Sequence, residues 1–140
     1  MTSPSSVRRR EFLVGSGAVV ATLAAPALAS LLGCDRRLTL AQALAGFYSD
    51  PASAARVGQA VLAAVPAEGT AEAVVAALAG DRRGELERLA ASDPGGLRTL
   101  LREQHRRDFE EGRTVAIAGW VLSRTEARLC AVAALASRAG

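Results

Sequence analysis

Two Asp-Pro pairs and one Ser-x-x-Glu box constrain this chain most, because each fixes where a helix begins. Asp50-Pro51 and Asp93-Pro94 both put a carboxylate acceptor at a cap position and a residue of fixed φ at the first helical position. Ser123 and Glu126 stand three apart in S-R-T-E, immediately before an apolar run. In such a box the serine hydroxyl accepts from the glutamate N–H, and the carboxylate reaches back to the serine N–H. Half of the 140 residues are apolar but only 4% are aromatic. The core must therefore come from Ala, Leu and Val, which suits closely packed helices better than sheet. The expected fold is all-α: a small bundle of short helices with a short extended segment before the last one.

Punctuation divides the body of the chain. Leu40, Leu44 and Phe47 recur at helical spacing in a segment starting near Leu38 and ending near Tyr48-Ser49. A second helix runs from Pro51 to about Val65, with Val57, Val61 and Val65 on one stripe, and stops at Pro66. Thr70 caps a third, Ala71–Ala79, closed by Gly80; Asp81 starts a fourth, through Leu86 and Leu89 to Ala91. The longest runs from Asp93-Pro94 to about Glu111 and ends at Gly112. Its buried side is Leu97, Leu100 and Leu101, joined by Phe109. Glu103, Arg107 and Glu111, like Arg106 and Glu110, lie at i,i+4 spacing and read as a solvated, self-neutralised face. Arg113–Val121 reads as extended, with Trp120 at the corner before the last helix, where it is either a structural residue or a partner-binding one. Leu129, Cys130 and Val132 are expected in the core.

Several functions are disfavoured. Removing Arg8–Arg10 and Glu11 from 17 basic and 14 acidic residues leaves 14 against 13, so nothing in the balance points to nucleic acid. Cys34, Cys130 and the lone His105 cannot complete a four-ligand metal site without carboxylates. No glycine-rich phosphate loop is present, and the carboxylates sit in helix faces and caps rather than as an isolated apolar pair. No catalytic, cofactor-binding or metal-binding residue is assigned.

Residues 1–33 read as a targeting segment and 34–140 as a single domain. Arg8-Arg9-Arg10-Glu11-Phe12-Leu13, followed by a run of small and apolar residues, resembles the bacterial twin-arginine export signal, with Arg9 and Arg10 as the pair and Phe12-Leu13 after one variable residue. An ordinary secretory signal and a retained, weakly apolar membrane anchor are the alternatives. Ala27-Leu28-Ala29 fits cleavage before Ser30, whereas Leu31-Leu32-Gly33-Cys34 resembles a lipobox, which would acylate Cys34. Both remain open.

The twin-arginine route carries folded proteins, often cofactor-bearing ones. A chain with that address and no visible chemistry either folds too fast for the unfolded route or lends its signal to a partner. The block G-W-V-L-S-R-T-E-A-R-L-C-A at Gly119–Ala131 resembles the small subunit of membrane-associated FAD-dependent sugar and polyol dehydrogenases, the sorbitol/fructose dehydrogenase small-subunit family. L-A-G-F-Y-S-D-P, within Leu38–Val65, is similar to that family's N-terminal region, so the resemblance covers most of residues 38–137. It implies a helical, non-catalytic subunit that escorts a large FAD-dependent dehydrogenase through the twin-arginine translocase. The subunit would stay bound on the periplasmic side of the inner membrane, through a lipid anchor or the partner, with a cytochrome c subunit as a further partner. FAD and the catalytic residues belong to the large subunit. Trp120, Arg124 and Arg128 are the expected partner-facing residues, Trp and Arg being enriched at interface hot spots. A free-standing periplasmic lipoprotein with a structural or binding role is the competing reading.

Overall fold

Six consecutive buried residues, Leu129 to Ala134, identify the centre of the molecule, because a helix buried over nearly two turns must be covered on every side. The computed structural model describes residues 40–139, all within one unit, Asp35–Gly140. The export-signal residues Arg9, Arg10, Phe12 and Leu13, the cleavage sites and Cys34 lie outside the described residues. The fold is all-α. A helical turn at residues 40–45 (α1) is followed by α2 (Pro51–Ala64), α3 (Ala71–Ala79), α4 (Arg83–Ser92) and α5 (Pro94–Glu110). A hairpin of β1 (Thr114–Ile117) and β2 (Trp120–Ser123) then runs straight into α6 (Arg124–Ala139). The expected extended segment is thus a folded-back pair of strands, and Trp120 opens the second strand rather than marking its junction with the helix. Among the described residues no helix is long and apolar enough to cross a membrane.

The caps form as the sequence dictates. Asp50 accepts from the N–H of Ser53 at 3.1 Å, Thr70 from Ala73 at 3.2 Å and Asp93 from Gly96 at 2.9 Å. At the end of α5, Gly112 adopts φ +67°. There the N–H groups of Gly112 and Arg113 donate to the carbonyls of Phe109 and Asp108, the paired bonds of a left-handed helix stop. Arg98, reaching from α5, donates to the carbonyls of Gly46 and Phe47 at 3.0 and 2.9 Å and so closes the end of α1.

Several expectations fail for identifiable reasons. The buried stripe of α2 is Ala54, Ala55, Gly58, Val61 and Leu62, whereas Val57 is 38% exposed. The large valines do not define the stripe because α6 lies against the small residues. Gly58 sits so near α6 that an added Cβ would be 1.9 Å from the carbonyl oxygen of Cys130. On α5, Phe109 is 44% exposed and Asp108 is buried in its place, drawn inward by the start of α6. Asp81 caps nothing; it lies in a 3-10 turn, Gly80–Arg82, ahead of α4. Arg106 and Glu110 do pair. Among the described residues Glu103 and Arg107 form no ion pair, and Glu111, just past the end of α5, pairs with Arg113 instead. Leu129, Cys130 and Val132 are in the core, at 1%, 5% and 1% exposure.

Candidate functional site

The hairpin sets the geometry of the site. Thr114 pairs with Ser123 and Ile117 with Trp120, so only Ala118 and Gly119 are left to turn the chain. Both have positive φ, 49° and 84°, the condition for a two-residue turn whose twist matches its strands. Directly opposed residues and every second residue share a face, so Val115, Ile117, Trp120 and Leu122 point to one side. Ile117 and Leu122 are buried beneath the hairpin, at 7% and 8% exposure. Trp120, nearest the turn, overhangs the helices and is 72% exposed; Val121, on the opposite face, is 61% exposed.

Under that overhang lies a groove of about 360 Å³, lined by Tyr48 to Asp50, by Ser53, Ala54 and Val57 of α2, by Trp120 and Leu122, and by Glu126 and Cys130 of α6. Its wall is mainly apolar. Burial, then the Cys130 thiol and the Glu126 carboxylate, hold the Tyr48 phenol well above its ordinary pKa. Burial and the Glu126 charge likewise push the Cys130 thiol up to about 11, against the lowering effect of its hydrogen bond with Tyr48. Both groups are neutral near pH 7, so the groove floor offers contact surface rather than a thiolate nucleophile.

The base of the hairpin is held by a clasp. Asp108, 3% exposed, accepts from the Thr125 N–H at 2.8 Å and the Thr125 hydroxyl at 2.7 Å through one oxygen. Its other oxygen accepts from Arg113 Nε at 2.8 Å. Burial alone would raise the Asp108 pKa, but these hydrogen bonds and the Arg113 charge outweigh it and leave the carboxyl below its ordinary value. A residue of α5 therefore supplies a cap to α6 at its first turn, where the helix dipole favours an anion. Ser123 accepts from the Glu126 N–H at 2.9 Å, forming that half of the sequence's capping box, and its hydroxyl lies 2.8 Å from His105 Nδ1. The Glu126 carboxylate stands 3.9 Å from the same imidazole nitrogen.

The three residues expected to face a partner do not converge. Trp120 lines the apolar groove, whereas Arg124 and Arg128 line a separate, arginine-rich cleft. Arg128 is engaged within the fold: it donates to Glu68 through Nε and Nη2 at 3.1 and 2.9 Å and ties α6 to the 3-10 turn Pro66–Glu68. Arg124 is exposed. Among the described residues no group of three or more His, Cys, Asp and Glu side chains is arranged to hold a metal ion. Sequence reasoning missed Tyr48, Val57 and Leu122 as groove walls and Asp108 as the clasp. No local pattern relates residue 48 to 120 or 108 to 125, although an aspartate just ahead of a helix-stopping glycine and an unassigned polar pair could have been matched. Comparison of the chain with protein-family models, with curated proteins and with solved structures finds no match.

Proposed function

We propose that the chain is a non-catalytic accessory subunit that docks a larger, FAD-dependent sugar or alcohol dehydrogenase, escorts it through twin-arginine export and remains bound to it at the outer face of the inner membrane. The observation that carries the docking part is Trp120, 72% exposed at a hairpin tip beside an apolar groove. An indole left in water next to Val121, Val57 and a mainly apolar cleft is a surface that gains by being covered. The identity of the partner and the escort role rest on the resemblance of residues 38–137 and of the Arg9-Arg10 segment.

Trp120→Ala, made in the complex co-expressed with the candidate large subunit, should weaken association by about 30-fold or more, the loss usual for a tryptophan hot spot. The same change should hardly move the melting temperature of the free chain. A large drop in that temperature with unaltered association would return Trp120 to a structural role. Replacing Arg9 and Arg10 with Lys should retain the large subunit in the cytoplasm; unchanged export of that subunit would refute the escort.

A further inference from the structure

The second cleft, of about 300 Å³, is built from arginines on four segments: Arg82 before α4, Arg107 of α5, Arg113 of the α5–β1 connection, and Arg124 and Arg128 of α6. Three of them have partners: Arg82 with Glu85 at 3.0 Å, Arg113 with Asp108 and Glu111, and Arg128 with Glu68 at 2.9 Å. Arg107 and Arg124 have no ion-pair partner among the described residues, although both border the same volume. The one carboxylate lining the cleft, Asp108, is occupied by Thr125 and Arg113. Two arginines on different helices thus line one space in which, among the described residues, the only carboxylate is already engaged.

Arg124 runs against local preference, whereas Arg107 stands in the last turn of α5, where the helix dipole favours a cation. Arg124 is the first residue of α6, where the helix dipole disfavours a cation, and Arg128 follows one turn later. Asp108 already caps that helix start through Thr125, and an anion entering the cleft would offset the remaining Arg124 charge. A carboxylate presents two oxygens in one plane and is served by a single fork. A phosphate monoester carries about −1.5 to −2 charges at neutral pH and a tetrahedral set of acceptor oxygens, which matches two separate forks in charge and in shape.

We propose that this cleft is a binding site for a dianionic phosphate group, free or carried on a lipid headgroup, held by Arg107 and Arg124. The site is independent of the Trp120 groove and of any dehydrogenase partner.

The test is calorimetric titration of the full chain, at constant ionic strength, with inorganic phosphate, with succinate and with vesicles containing phosphatidate or phosphatidylcholine alone. Saturable phosphate binding, weakened tenfold or more in Arg107→Gln/Arg124→Gln, supports the site with a free ligand. Binding to phosphatidate vesicles alone, lost in the same variant, supports it with a headgroup. The single variants should each weaken binding several-fold without changing the melting temperature, since neither side chain makes a hydrogen bond or ion pair among the described residues. Succinate binding as tightly as phosphate would overturn the proposal and assign the arginines to carboxylates of a protein partner. Absence of saturable binding to any probe, or equal binding by the variants, would overturn it outright.

Discussion

The packing of α2 against α6 can be tested with one methyl group. In Gly58→Ala the new Cβ would stand 1.9 Å from the Cys130 carbonyl oxygen, 2.4 Å from its carbonyl carbon and 2.9 Å from the Ala131 nitrogen. A carbon and a carbonyl oxygen rest at about 3.3 Å, so the two backbones must part by about 1.4 Å. No flexible side chain can absorb that movement, because every obstructing atom is main chain. Overpacking of this kind sits near the upper limit of about 3 kcal/mol, and widening the contact around Ala54, Leu62 and Ala134 forfeits about 1 kcal/mol of dispersion. Alanine returns about 1 kcal/mol of helix propensity, so the net loss is about 3 kcal/mol. For a domain near this size that is a fall in melting temperature of about 12–24 °C. Gly84 is the control: it too lies in a helix, α4, but a Cβ there meets nothing within 4 Å. Gly84→Ala should stabilise by about 0.5–1 kcal/mol. Thermal and urea unfolding followed by circular dichroism measure both. If Gly58→Ala melts as high as Gly84→Ala, α2 and α6 do not cross at Gly58 and the account of the core is wrong.

The clasp and the turn give two more expectations. Asp108→Asn should cost about 2 kcal/mol at pH 7, because a charge-assisted acceptor of three hydrogen bonds is replaced by a neutral one. The folded-state pKa is depressed, so the carboxylate's contribution is complete above its unfolded value of about 3.9 and is lost as the pH falls through the lower folded value. Urea midpoints of the two proteins should therefore converge in acid; a gap that stays constant from pH 7 down to about pH 2 would contradict the assignment. Ala118→Asn should raise the urea midpoint by the equivalent of about 1 kcal/mol with unchanged slope, since asparagine tolerates the left-handed conformation that alanine occupies at φ 49°. A lower midpoint would mean that the hairpin turns elsewhere.

What was legible in the sequence was legible because it was local. Asp50, Thr70 and Asp93 each meet their hydrogen-bond partner three residues on, so residue order alone specifies the caps. Gly112 likewise acts on its own neighbours. The failures are all decided by a second element. By hydrophobicity Val57 outranks Gly58, but the approach of α6 selects the smaller side chain for burial. Asp108 reads as one more charge on a polar face until the N-terminus of α6, 17 residues later, is placed against it. Ala118-Gly119 is a weak turn signal beside Asn-Gly, which is why the hairpin reads as a single extended run. Trp120 is a core residue by type and a surface residue by position. Its exposure follows from where the turn falls in the strand register.

The clasp at Asp108 also bears on how the hairpin behaves before anything touches it. Residues 108 to 125 form a loop whose two ends are joined through one carboxylate, with Arg113 held to the same group and the Arg124 N–H bonded to the Arg113 carbonyl at 3.0 Å. Folding of the helices has already fixed the span of that loop, so the entropy of closing it is not charged to a later event. A molecule settling on Trp120 meets a lever anchored at its root and need immobilise only an indole and its immediate neighbours. Cutting the clasp would lengthen the lever's free arm. Binding would then weaken through the hairpin's regained freedom, with every contact at the tip unchanged.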